Sequence, residues 1–292
     1  MMSASGESTL RVACLQMEPR IGDKAHNLKR SLEMIGDAAA AGARLVVLPE
    51  LCNTGYVFET REEAFRLAEG VPAGPTTEAW AQAAARHGLT LVAGITEREG
   101  ETLYNSAAVV GPRGYVGRYR KNHLWGAENL FFEPGDLGMP VFPTAVGRLA
   151  CAICYDIWFP ETFRLAALQG ADILCVPTNW VPMPDQPTTL PVMANILAMG
   201  GAHSNSMFVA AADRIGRERG QPFLGRSLIC SYTGWPVAGP ASADREEMLV
   251  AEVNLSDARR RRNWNDFNQV LRDRRTDVYD EMLGADVKRG WY

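Results

Sequence analysis

Three apolar runs of this chain each end at, or close to, a residue capable of chemistry. "RLVVLPE" (44–50) closes on Glu50, "YVGRYRKNHL" (115–124) carries Lys121, and "RLACAICYD" (148–156) carries Cys154. A thiol with an ordinary pKa near ~8.5 is only a few per cent thiolate at neutral pH, so a nucleophilic Cys154 needs a base or a cation. Glu50 suits the base: Leu51, Tyr56 and Phe58 follow it, and partial desolvation raises a carboxylate toward the range of proton transfer. Lys121 suits the cation, stabilising first a thiolate and then a tetrahedral oxyanion. Glu128, seven residues on, could orient Lys121 or a substrate amide.

Each residue also has an ordinary reading. Free cysteine is among the most buried residue types, and Cys14, Cys52, Cys151, Cys175 and Cys230 are expected to be core. Glu50 and Glu128 could be solvated carboxylates, and Arg118, Arg120 and Lys121 a basic surface. Cys154 stands apart because an acidic, aromatic turn and a helix start follow it, bringing backbone N–H groups near the sulfur. With Cys151 it forms C-A-I-C. Inside a strand, residues three apart point to opposite faces, and no second cysteine pair is present, so neither zinc nor a dithiol redox pair is expected. Of the four histidines only His123 adjoins another candidate, which keeps a Cys154/His123 dyad open.

Strands and helices alternate around these residues. "LRVACLQ" (10–16) reads as a strand, 27–43 as a helix, and 44–50 as a buried strand. A helix near 76–87 leads into "TLVAGITERE", "YNSAAVVGP" and "YVGRYRKNHL", read as antiparallel neighbours joined by glycine-containing turns. The strand "RLACAICYD" precedes a helix opening at Pro160. "DILCVPTNW", a helix in "TLPVMANILAMGGAHSN", and the strand "MFVAAADRIG" follow. "SLICSYTGWPV" and "EMLVAEVNL" read as a late hairpin, and the polar, basic tail from Leu255 as mostly helical. No linker or repeat divides the chain, so residues 1–292 read as one α/β domain with a mixed sheet system. Ligand sites of α/β folds lie beyond the carboxyl ends of strands, where Glu50, Lys121 and Cys154 fall.

Composition narrows the function classes. Of the 292 residues 47% are apolar and 22% charged, as in soluble globular proteins, and the net charge is −4. That balance gives no general attraction to nucleic acid or to an anionic membrane. The run Arg259 to Arg262 is read as a solvated helix face or subunit contact. No apolar stretch approaches the roughly 20 residues that span a bilayer, and the N-terminus lacks a signal-peptide pattern. Six cysteines in such a chain are expected to be reduced thiols in a cytoplasm.

Together the segments resemble the nitrilase superfamily of carbon-nitrogen hydrolases. "LVVLPELCNTGY" is similar to its glutamate motif, "YRKNHL" to its lysine motif and "CAICYDIWFPE" to its cysteine motif, in the family's order. "FFEPGD", "GADILCVPTNW" and "NDFNQVLRDRRTDVY" extend the likeness from about residue 10 into the C-terminal region. The resemblance implies a four-layer α-β-β-α sandwich that pairs into a homodimer or a higher homo-oligomer, with the tail from about 256 at the subunit interface. It implies Glu50 as general base, Lys121 as oxyanion stabiliser and Cys154 as nucleophile. Glu128 would position lysine or substrate, and the N–H of Tyr155 would complete an oxyanion hole. No metal or organic cofactor is required. Tyr56, Trp125, Phe131, Trp158, Asn179 and Trp180 stand beside the motifs and are expected to wall a pocket. Nitrilases of the family often carry C-W-E, whereas Cys154-Tyr155-Asp156 is closer to its aliphatic amidases. A small aliphatic amide is therefore the expected substrate, with a nitrile or an N-carbamoyl compound as the alternative.

Overall fold

Alternation along the first strand sorts its residues into two cores. On β1 (Leu10–Gln16), Val12 and Cys14 face one buried cluster, Ala13 and Leu15 another. The computed structural model describes residues 9–187 and 189–283. Its first half runs through α1 (Lys24–Ala40), β2 (Leu45–Val47), α2 (Arg61–Leu67), α3 (Pro75–His87), β3 (Thr90–Glu99), β4 (Thr102–Gly111) and β5 (Gly114–Arg120). The second half begins with β6 (Val141–Thr144), β7 (Gly147–Cys151), α4 (Pro160–Leu168), β8 (Ile173–Pro177), α5 (Met193–Asn205) and β9 (Phe208–Ala212). A short ribbon, β10 (Arg217–Glu218) and β11 (Gln221–Pro222), follows. The chain then passes through β12 (Leu228–Cys230), β13 (Pro236–Ala238), β14 (Glu247–Val253), α6 (Ser256–Arg260) and α7 (Thr276–Leu283).

Two six-stranded sheets result, ordered β14-β1-β2-β3-β4-β5 and β13-β12-β9-β8-β7-β6. In each, the strands joined through a helix run parallel and the meander strands antiparallel. Met34, Ile35 and Ala38 of α1 and Trp80 and Ala84 of α3 cover the outer face of the first sheet. Phe163, Ala166, Ala198 and Ala202 of α4 and α5 cover the second, whose other face packs with Val12, Val47 and Val109. The architecture is thus a four-layer α-β-β-α sandwich, as the family resemblance implies.

Three expectations need correction. "EMLVAEVNL" does not pair with "SLICSYTGWPV": β12 and β13 form a hairpin within the latter, and β14 crosses to lie antiparallel beside β1. Alternation marks a strand without naming its neighbour, and Leu249 and Ala251 find their buried face against the first sheet's inner core. The described part of the tail, 255–283, is helical only in α6 and α7, with turns between them, and the remainder of the expected helical tail lies outside the described residues. Finally, C-A-I-C does not lie inside a strand. β7 stops at Cys151, and Cys154 opens a short 3-10 turn, Cys154–Trp158, with a φ of 47°.

Candidate active site

Glu50 sits three residues beyond β2, where the strand's apolar run is spent, and bridges the two sheets. The carbonyl of Pro49 accepts from Gly94 N on β3 (3.1 Å), and the carbonyl of Glu50 accepts from Asn179 Nδ2 beyond β8 (3.0 Å). The approach to β3 is close. A Cβ on Gly94 would lie 2.4 Å from the Glu50 Cα, so only glycine fits there. The carboxylate is fully buried; its Oε1 accepts from Lys121 Nζ and Asn105 Nδ2, both at 2.7 Å. No donor reaches Oε2.

Lys121 is the residue after β5. Its amide donates to Asn105 O (2.8 Å) and its carbonyl accepts from Gly135 N (2.8 Å), so the backbone is pinned from both sides. The preceding Arg120 is buried, held by Glu97 and by Asp136 (2.9 Å), and lies 3.7 Å over the Tyr104 ring. The expected basic surface is therefore split: Arg120 and Lys121 both point inward. Lys121 Nζ contacts Glu128 Oε1 at 2.7 Å as well as Glu50. Glu128 is no solvated loop residue. Its carboxylate also accepts from Tyr56 OH (2.6 Å) and Trp125 N (3.3 Å).

Cys154 is buried in the turn after β7, in the left-handed backbone region that non-glycine residues seldom occupy. Asp156 holds the turn. Its Oδ2 accepts from Ile153 N (2.9 Å) and Tyr119 OH (2.7 Å), and its Oδ1 from His123 N (3.0 Å). Tyr119 and His123 flank Lys121 in sequence, so one carboxylate ties the thiol turn to the lysine segment. His123 Nδ1 also lies 2.7 Å from Asp156 Oδ1, and its ring stacks on Phe159 at 3.7 Å. The histidine is thus a brace for the turn, which removes the basis for a Cys154/His123 dyad.

The electrostatics follow from burial. Two carboxylates and one ammonium share a dry site, and burial pushes Glu50 up to about 7, Lys121 pulling down and Glu128 pushing further up. Burial disfavours the charge of Lys121, yet Glu128 and Glu50 outweigh it and raise its pKa. Burial and then the Glu50 charge push the Cys154 thiol well above its usual range, with Lys121 opposing. The resting thiol is therefore protonated and needs a base.

Around the sulfur is a cavity of about 20 Å³, lined by Cys154, Trp125, Trp158, Asn179, Trp180 and Val181 among others. That is room for little more than one water-sized sphere. Two buried polar atoms of its walls have no partner, Asn179 Oδ1 and Trp180 Nε1. Trp180 is fixed by its amide, which donates to Asp213 Oδ1 (2.9 Å). Tyr155 also lines this cavity, whereas Tyr56 and Phe131 line a second one of about 150 Å³. Of the expected pocket residues, then, Trp125, Trp158, Asn179 and Trp180 surround the sulfur, and Tyr56 reaches the site through Glu128. Asn105 and Gly94 escaped the sequence reading, which placed Asp156 in the turn but not in contact with Tyr119 and His123. A buried asparagine within the apolar strand "YNSAAVV" was the available signal for the first. Among the described residues no group of His, Cys, Asp and Glu is arranged to hold a metal ion.

Comparison with known proteins bears on the family and the fold. The family described as "Carbon-nitrogen hydrolase" matches residues 11–263. A protein of Pyrococcus abyssi named nitrilase is 44% identical, covering 92% of this chain and 99% of its own. The N-carbamoylputrescine amidase of Solanum lycopersicum is 33% identical, over 90% of this chain and 92% of its own. Among solved structures, a mutant of the amidase from Nesterenkonia sp. AN1 in complex with butyramide superposes with a TM-score of 0.77. It is 26% identical and covers 94% of this chain and 98% of its own.

Proposed function

The chain belongs to the carbon-nitrogen hydrolase family of the nitrilase superfamily, and from that premise we propose that it hydrolyses small aliphatic primary amides through a Cys154 thioester. One observation carries the choice of amide: of the residues lining the thiol's cavity, Asn179 has a buried acceptor, Oδ1, and Trp180 a buried donor, Nε1, neither with a partner among the described residues. A carboxamide has an N–H to donate to the first, and its oxygen is left for Lys121 and the Tyr155 N–H. A nitrile has no N–H, and a site with an acceptor left unpaired discriminates against such a ligand.

In this reading Glu50 takes the thiol proton as the sulfur attacks the carbonyl carbon. The proton moves within the cluster, so the site's net charge is unchanged while a charged nucleophile forms. Lys121 and the N–H of Tyr155, which lies in the first turn of a short helix where backbone donors have no partner within the helix, hold the oxyanion. Glu50 returns the proton to the leaving ammonia, then activates the water that releases the acid. Glu128 and Tyr56 keep the Lys121 ammonium aimed. The chemistry needs no cofactor.

Two further points belong to the proposal. All six cysteines are free, including Cys151 and Cys175, paired in register on adjacent strands, which supports residence in a reducing cytoplasm. The exposed apolar face of α4 and α5, with the tail from about 256 beside it, supports a homodimer. The deciding experiment measures ammonia release from a panel of amides, nitriles and N-carbamoyl compounds, with hydroxylamine present to capture an acyl thioester. Ammonia and hydroxamate from primary amides are expected. Ammonia from nitriles or carbamoyl compounds alone would overturn the amide reading.

A further inference from the structure

The thiol's cavity is too small to hold more than the reacting group, yet it has a neighbour. Trp125 and Val181 line both the 20 Å³ cavity and the 150 Å³ cavity, so these two side chains form a shared partition. The far side is walled by Phe58, Phe131, Phe132 and the Tyr56 ring, with Ala127 and Gln221 completing it. Trp125 packs against Tyr155, next to the nucleophile, with ring centroids 4.9 Å apart. No lysine or arginine lines either cavity among the described residues. The one carboxylate there, Glu128, is already bonded by Lys121, Tyr56 and the Trp125 amide.

We infer that the aromatic cavity beyond Trp125 and Val181 is a subsite for an uncharged, apolar acyl chain, whose length the far wall at Phe131 limits. The inference rests on the amidase reading. For a primary amide the leaving group is ammonia, which needs no pocket of its own, so the acyl chain is the part with bulk to place. Aromatic and aliphatic walls gain by burying methylenes, about fourfold in affinity for each one. A carboxylate or ammonium on the chain would enter without a counter-charge, which excludes N-carbamoyl amino acids from this subsite.

Binding can be separated from turnover. The affinities of acetamide and hexanamide for Cys154→Ala, measured by calorimetry, give a ratio that does not depend on catalysis. Hexanamide is expected to bind at least tenfold more tightly. Adding Ala127→Phe, which sets a ring at the exposed rim of the second cavity, should lower that ratio, and adding Phe131→Ala, which enlarges the cavity, should raise the ratio for octanamide. Thermal melts of both variants identify any that fails to fold, and the other then decides. Equal affinities for the two amides, or a ratio insensitive to whichever variants fold, would overturn the subsite. Wild-type enzyme that binds hexanamide preferentially but releases no ammonia from it would leave the subsite standing and sink the amidase reading.

Discussion

Tyr119 donates its hydroxyl to Asp156 across 2.7 Å, joining the strand that delivers Lys121 to the turn that delivers Cys154. Asp156 is fully buried and also receives Ile153 N and His123 N, so several donors depend on one side chain. Replacing Asp156 by Ala leaves these donors without an acceptor, at about 1–3 kcal/mol for a buried unsatisfied group. Asp156→Ala should therefore lose both stability and kcat, whereas Tyr119→Phe, removing one donor only, should cost less of each. Denaturant midpoints and steady-state rates check this. A variant Asp156→Ala with normal kcat would show that the turn holds itself.

The acid limb of activity should report Glu50. Its pKa is raised to about 7, so the free enzyme loses its base as pH falls through that value, tenfold in kcat/KM per unit below it. Asn105 donates to the carboxylate and thereby favours its charged form. Asn105→Leu should move the limb to higher pH, a shift that a purely structural role would not produce. A limb near the ordinary 4.5, unmoved by the substitution, would exclude Glu50 as the titrating base.

Backbone proximity sets the third expectation. Gly94→Ala puts a methyl 2.4 Å from Glu50 Cα and 2.5 Å from Pro49 O, atoms that cannot rotate away. The Glu50 segment must shift, costing about 1–3 kcal/mol of stability. A small displacement of a reacting group can reduce the rate by about 10²-fold. Kinetics of Gly94→Ala together with its melting temperature test this; unchanged kcat/KM would mean that the segment yields without moving the carboxylate.

The two cysteines of C-A-I-C separate hydrolysis from dithiol chemistry. Cys151 is buried at the end of β7, and burial pushes its thiol up to about 12, as expected for core. Cys154→Ala should abolish ammonia release, while Cys151→Ala should retain it and need no reductant. Loss of activity in both would instead favour a redox pair. Ammonia assays of the two variants settle the matter.

How much was legible follows from where each constraint acts. The strands β1, β3 and β4 are long and their burial is uninterrupted or alternating, so their limits were readable almost to the residue. The motif residues Glu50, Lys121 and Cys154 were visible because residue type and strand-end position coincide. The roles of Asn105, Gly94 and Asp156 were not, because they arise from contacts across 55, 44 and 37 positions of sequence, to Glu50 in the first two cases and Tyr119 in the third. The partner of β14 was hidden for the same reason: nothing local distinguishes pairing with β12 from crossing to β1.

The last expectation concerns the outer face of the second sheet's helices. Leu165, Leu168, Met193 and Ile196 of α4 and α5 are 42–47% exposed beside a groove of about 690 Å³. A contiguous apolar patch of this kind marks an interaction surface. The groove also holds Glu161, Arg164 and Arg274, and burial together with the Arg274 charge lowers the pKa of Arg164. A twofold pairing that set Glu161 of one copy against an arginine of the other over the leucines would make such a surface complementary to itself. Sedimentation of the wild-type chain at micromolar concentration should give twice the chain mass. Leu165→Asp, which buries an unpaired charge in that contact, should give the chain mass with little loss of helical signal. A wild-type monomer, or a Leu165→Asp dimer, would place the interface elsewhere or nowhere.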